Sequence, residues 1–297
     1  MQLWRGLLCA SLTRHQFTLR LFERLPTWMA WQLTSSKLLK TSDDHSNLIE
    51  SIKYIGGVDI SYDGGRGVAG LVVLSFPSLE PYYFSSEELD ASMPYIPGFL
   101  DLREAPVMVK LVRDFKAHMC GKKRDAKVLN YLDSKPSLPQ RDKEGASDSS
   151  FVLLVDGNGM LHDRQFGSAC HVGLMTDTIT IGVGKSYYSV PELCSLTHKD
   201  ILQLSFEKKG DVHALGKMQA VALKSSQRAK NPIFVSIGHR ISLATATEIV
   251  LKCCSKGRIP EPIKLADKAT KQIIKEKRSK DEGRALSDEK PRTSFRK

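Results

Sequence analysis

Four acidic residues, Asp59, Glu104, Asp156 and Asp267, stand where a chain would not place a carboxylate for solubility. Asp59 follows the apolar run of Y-I-G-G-V-D-I-S, and Asp156 ends that of F-V-L-L-V-D-G-N-G; both stretches read as buried strands. An ionised acid in low dielectric is costly unless it is paired or bound to metal, and hard divalent cations such as Mg²⁺ take oxygen ligands of this kind. The chemistry suggested is a metal site. Glu104 falls in G-F-L-D-L-R-E-A-P and Asp267 in R-I-P-E-P-I-K-L-A-D, so the four acids are spread over more than two hundred residues and can meet only through the fold. An acidic cluster that holds two Mg²⁺ ions is a recurring solution for phosphodiester cleavage, in which one ion makes a hydroxide from water and the other supports the leaving oxygen.

The elements that would position these acids follow from the hydrophobic pattern. From Tyr54 onward V-D-I-S-Y, V-A-G-L-V-V-L-S-F and a third stretch around Tyr82 to Phe84 are separated by short Gly-Gly and Pro-Ser turns, which predicts an antiparallel meander. Pro97 to about Cys120 reads as a helix with Leu100, Val107, Leu111 and Phe115 on its apolar face. Residues 121–150 are rich in Lys, Asp, Ser, Pro and Gly, and read as a disordered insertion. A buried strand (Phe151 to Val155), a helix around Gly167 to Asp177 and the strand T-I-T-I-G-V-G come next. Two further strands are expected near Met218 to Leu223 and Ile233 to Ser236, then helices at Ser242 to Cys254 and after Pro262. The order predicts an α/β protein, a mixed sheet combining the meander with parallel strands and flanked by helices. Parallel strands place ligands at their carboxyl edge, which would bring Asp59 and Asp156 together.

At 297 residues with 41% hydrophobic content the chain suits one large soluble domain or two small ones, and no apolar run reaches the length of a membrane span. The net charge of +11 comes wholly from the ends. Residues 1–40 carry six Lys/Arg against one acid, residues 268–297 eleven against five, and residues 41–267 are balanced. Such a basic end can neutralise nucleic-acid phosphates; the bland alternative is a solvated tail. The expected organisation is a basic segment at 1–40, a main folded domain at 41–270 containing the insertion, and a disordered basic tail at 271–297. The composition of residues 1–40 fits a mitochondrial presequence, and equally an amphipathic lead-in helix or an atypical start site. The six cysteines show no metal-ligand spacing and read as reduced thiols.

The stretches G-G-V-D-I-S, P-Y-I-P-G-F-L-D-L-R-E-A-P, V-D-G-N-G-M-L-H, F-G-S-A-C-H-V-G, I-G-V-G-K-S, V-S-I-G-H-R-I-S-L and R-I-P-E-P-I-K-L-A-D resemble the successive motifs of the endonuclease V family, in that family's order, over roughly residues 54–270. The resemblance implies a ribonuclease-H-like fold. It also implies hydrolysis of the second phosphodiester bond 3′ to a deaminated base, with Mg²⁺ as cofactor and Mn²⁺ able to substitute. The implied partner is inosine-containing single-stranded RNA, with deoxyinosine in DNA as a further substrate, for a monomer that binds no membrane. The expected location is the cytoplasm and the nucleus or nucleolus.

Residue by residue, Asp59, Glu104 and Asp156 match the family's metal-binding acids and Asp267 the further acid of the last helix. Pro94, Tyr95, Ile96 and Pro97 match a wedge that holds the strands apart, its apolar side chains replacing lost stacking when a base leaves the helix. Gly98, Leu100 and Gly157 match the lining of the base pocket, and Lys185 a lysine near the scissile phosphate. His162, shortly after D-G-N-G, is expected to face the same site, whereas His171 and His239 are read as structural. Residues 1–40 contain no match for the family helix that precedes the first strand, and Gly184 stands where alanine is usual. The competing readings are a catalytically weak inosine- or nucleic-acid-binding protein of the same fold, and a different nuclease of the fold class. The latter would share the acids without P-Y-I-P and G-S-A-C-H.

Overall fold

A computed structural model describes residues 44–90, 100–121, 150–216 and 219–288. The segment 1–40, the stretch Pro94 to Gly98 and nearly all of the expected insertion lie outside the described residues. In chain order the elements are α1 (Asp44–Ser51), β1 (Tyr54–Asp63), β2 (Arg66–Ser75), β3 (Pro81–Asp90), α2 (Leu100–Met119), β4 (Phe151–Asp156), α3 (Ser168–Thr176), β5 (Ile179–Gly184), α4 (His198–Gln203), β6 (Val212–Leu215), β7 (Ala220–Leu223), β8 (Ile233–His239), α5 (Leu243–Cys253) and α6 (Glu261–Asp288).

The strands form one sheet in the order β3-β2-β1-β4-β5-β8-β7-β6. The meander predicted from Tyr54 onward is β1 to β3, with antiparallel pairing throughout. β1 runs parallel to β4 and β4 parallel to β5. The mixed sheet expected from the sequence is completed by β8, β7 and β6, which add on antiparallel. The reason is connection length: β7 returns to β8 through a short loop, whereas a parallel return needs a long crossover.

Alternation along the central strands explains their unbroken apolar runs. Ile55, Val152, Leu154, Ile181 and Val183 pack against Ile249 and Val250 of α5 and Ile263 and Ala266 of α6. Val58, Leu153 and Val155 face the other way, onto Met108, Leu111, Val112 and Phe115 of α2 and Val172 of α3. A sheet covered on both faces leaves no polar side on its central strands. A third cluster under β7 and β8 gathers Leu161, Tyr187, Val190 and Ile201. No helix among the described residues is long and apolar enough to cross a membrane.

Three elements escaped the pattern. α1 precedes β1 at a place beyond the segment 1–40, α4 is six residues started by a Thr197/Asp200 capping box, and β6 is a four-residue, half-exposed strand. The expected disordered tail also needs correction, since α6 continues through residue 288. Ile273 is buried and Ile274 packs on the core, while Lys277 pairs with Glu88 and Asp281 with Arg66, so this basic stretch has an apolar face to hold it as helix. Residues 289–297 lie outside the described residues.

Candidate active site

The parallel pairing places Val58 beside Val155, so the next position on each strand is an aspartate and Asp59 comes alongside Asp156. Asp156 in turn pairs with Val183 of β5. Two residues further on, Lys185 returns to the same face of the sheet. Three adjacent parallel strands thus deliver Asp59, Asp156 and Lys185 to one edge.

Asp267 arrives from α6, which is held against β1 at two points. Gly57 lets the backbone of Pro262 and Ile263 approach so closely that a Cβ would lie 2.2 Å from the Pro262 carbonyl carbon. Farther along, Ser61 Oγ and Thr270 Oγ1 share a buried hydrogen bond of 2.8 Å. Asp267 sits between these anchors.

The Lys185 ammonium lies 2.7 Å from Asp156 Oδ2, 3.1 Å from Asp59 Oδ2 and 3.9 Å from Asp267 Oδ1. Asp267 also accepts from Lys271 at 2.7 Å. Asp59 is 4% exposed, and this burial, reinforced by the hydrogen bond and charge of Asp156, pushes its carboxyl up to about 9 despite the nearby ammonium. Burial alone would pull Lys185 down, but Asp156 and then Asp59 outweigh it and hold the ammonium above the ordinary lysine value. Asp267 is likewise pushed up by burial, yet its bonds to Lys271 and Asp59 and the charge of Lys185 bring it below the usual carboxylate range. The edge therefore carries more acid than its own lysine neutralises.

Glu104 reaches the same strand from the other face. It is 7% exposed on α2 and accepts a 2.5 Å hydrogen bond from the Tyr62 hydroxyl, three residues beyond Asp59. Burial and the adjacent carboxylate push the Tyr62 hydroxyl up, so it stays a donor, and the Arg103 guanidinium lies 4.5 Å from the centre of its ring.

Among the described residues, no group of three His, Cys, Asp or Glu side chains is arranged to hold a metal ion as it stands. The donor chemistry nevertheless fits one. Carboxylates from three elements converge on a cationic point, and all are hard oxygen donors suited to Mg²⁺ or Mn²⁺. Beside them, Asn158 Oδ1 is buried without a hydrogen-bond partner among the described residues.

Gly157 directly follows Asp156 with φ +148°, a conformation side chains resist, and its amide donates to the Val183 carbonyl at 3.2 Å. His162 is buried, stacks on Tyr188 at 5.8 Å between ring centroids and accepts the Arg164 amide on Nδ1. His171 is buried beside Phe166, and His239 lies 3.6 Å from Asp177. Leu100 opens α2, with its side chain outside the described residues, as are Pro94, Tyr95, Ile96, Pro97 and Gly98. Sequence reasoning missed Tyr62, although V-D-I-S-Y contains it, and also Arg258, which donates to the carbonyls of Lys185 at 3.0 Å and Pro232 at 3.1 Å. Arg258 opens R-I-P-E-P, so its presence was visible even though its contact was not.

Fold and edge together define a single-sheet α/β protein with its acids collected at the carboxyl ends of parallel strands. The Endonuclease V family model matches residues 34–129 and 141–268, and breaks inside the expected insertion. Human endonuclease V is 37% identical over 233 residues, 75% of this chain and 72% of its own length. The crystal structure of the human catalytic domain superposes with a TM-score of 0.70 at 32% identity, covering 89% of this chain and 98% of that one. Endonuclease V of Ciona intestinalis, solved with a 23mer DNA containing an inosine followed by a ribo-adenosine, gives a TM-score of 0.64 at 27% identity over 89% of this chain and 99% of its own. The chain belongs to the endonuclease V family, which makes it a nuclease by descent.

Proposed function

We propose that the chain is a Mg²⁺-dependent endonuclease that hydrolyses the second phosphodiester bond 3′ to inosine, chiefly in single-stranded RNA and also in DNA. The observation that carries the reading is the convergence of Asp59, Asp156 and Asp267 on one cationic point. Family membership supports the nuclease chemistry, and the strand bound by the Ciona relative supports inosine as the recognised base with a ribonucleotide beside it.

Asp59, Asp156 and Asp267, joined by Glu104, would hold the divalent ion. When bound, that ion supplies Lewis acidity to the phosphate and lowers the pKa of a water. Lys185 keeps its ammonium at the same edge, where it can meet charge that grows on the phosphate during cleavage. Tyr62 orients Glu104 through its hydroxyl. Gly157, bare of a side chain beside Asp156, leaves room for the edge of a flat base. Pro94 to Pro97 would wedge beside that base, with Gly98 and Leu100 lining its pocket and His162 close to the loop that follows Asp156.

The test is cleavage of matched single-stranded RNA and DNA oligonucleotides, each with one inosine, in Mg²⁺, in Mn²⁺ and in chelator. Scission one nucleotide beyond inosine, faster on RNA and absent in chelator, is the expected result. Equal cutting of adenosine strands would overturn inosine recognition, and tight binding without scission would leave a binding protein of the same fold.

A further inference from the structure

Lys264, Lys268, Lys271, Lys275 and Arg278 are all exposed on α6. At 3.6 residues per turn they fall within an arc of about 80°, one cation per turn over about 21 Å. The opposite face of the same helix, Ile263, Ala266, Ala269 and Ile273, is buried on the sheet. Asp267 lies at the margin of the charged arc, so the row of cations begins at the acid cluster and runs away from it. Most of the row lies beyond residue 268, where the match to the family ends.

We propose that this face of α6 is a phosphate track that holds the substrate strand flanking the cleaved bond. The proposal rests on the nuclease reading above and adds to it where the rest of the strand lies. Regularly spaced ammonium and guanidinium groups with no apolar side chain among them fit a polyanion, and tracking a single-stranded backbone takes a positively charged path of this kind. Within the row, Lys264 lies 3.3 Å from Glu261 and Lys271 2.7 Å from Asp267. The lysine end of each pair is the exposed one, so a phosphate can approach both ammonium groups from solvent.

The test uses the full chain with Lys268→Gln, Lys275→Gln and Arg278→Gln combined, leaving Lys271 and its contact to Asp267 in place. Lys208→Gln, Lys230→Gln and Lys252→Gln together remove the same charge elsewhere. Binding is measured against salt for an inosine-containing single-stranded RNA longer than the track, and for a short one ending close to the cleaved bond. On the long strand the track variant is expected to lose about tenfold in affinity at low salt and to flatten the log–log salt slope by about 2, or about 0.7 per lost contact. The short strand, the cleavage rate at saturation and the melting temperature should stay at parental values. An unchanged slope, an equal loss on the short strand, or an equal loss in the control variant would overturn the track. Loss of binding to phosphatidylserine vesicles, with oligonucleotide binding intact, would reassign the face to a membrane surface and also overturn it. If the parent fails to cleave at inosine but its long-strand slope still depends on these residues, the functional reading fails and the track stands.

Discussion

Replacing Gly57 by alanine would show how tightly the last helix sets the site. The new Cβ would lie 2.2 Å from the Pro262 carbonyl carbon and 2.4 Å from the Ile263 amide nitrogen, both backbone atoms that no rotamer change can move aside. Ordinary contact begins near 3.4 Å, so β1 and α6 must separate by about 1.2 Å, the difference between 3.4 and 2.2. Overpacking of this kind costs about 1–3 kcal/mol. At about 2–4 °C per kcal/mol for a domain of this size, the melting temperature should fall by roughly 2–12 °C. Gly57 is two residues from Asp59 and Pro262 five from Asp267, so the same displacement opens the acid cluster. A misplacement of about 1 Å can cost about 10²-fold in rate. The assay pairs thermal unfolding with single-turnover cleavage of an inosine-containing RNA. Gly257→Ala is the control, because a Cβ there meets open space and should change neither quantity. A Gly57→Ala protein with parental melting temperature and parental rate would refute the claim that this contact positions Asp267.

Asp59→Asn and Asp156→Asn should each lower cleavage by about 10³-fold or more, the equivalent of several kcal/mol of metal-supplied stabilisation, while substrate affinity stays within a few-fold. Near-normal turnover by either variant in Mg²⁺ would remove them from the metal site. Tyr62→Phe deletes the donor to Glu104 and should lower kcat about 10-fold or more with KM unchanged, since a hydrogen bond to a charged group is worth about 1.5–3 kcal/mol. A rise in KM alone would make Tyr62 a binding residue instead. Tyr95→Ala should narrow the ratio of inosine to adenosine cleavage, and an unaltered ratio would speak against the wedge. In chelator, Asp59 titrates at about 9 in the folded protein against 3.8 ordinarily, so between those values the folded state holds the extra proton. Stability should therefore decline as pH rises through that window, by at most about 1.4 kcal/mol per unit, and Asp59→Asn should flatten the dependence; denaturant melts at several pH values measure both.

The meander, the strand ending at Asp156 and the helix Leu100–Met119 were legible because burial on one or both sides of a strand, and amphipathic spacing in a helix, are written in consecutive residues. α4 and β6 were not, since six or four residues carry too little periodicity to separate them from loop. The outer half of α6 was misread from its charge. Its Lys and Arg residues look like a tail, and Ile273 and Ile274 become helix anchors only because the sheet is there to receive them.

The candidate site divides in the same way. A carboxylate at the end of an apolar strand advertises itself, so Asp59 and Asp156 could be picked out from the sequence, and the ordered motifs drew Glu104, Lys185 and Asp267 in beside them. Sequence order alone could not put Lys185 between three aspartates, seat Tyr62 on Glu104 or turn Arg258 onto the Lys185 carbonyl. Those contacts join residues as far apart as Asp59 and Asp267. They arise from strand register and from the close approach of α6 at Gly57, because the energy that brings the charges together belongs to the packed sheet and helices and to no local stretch of chain.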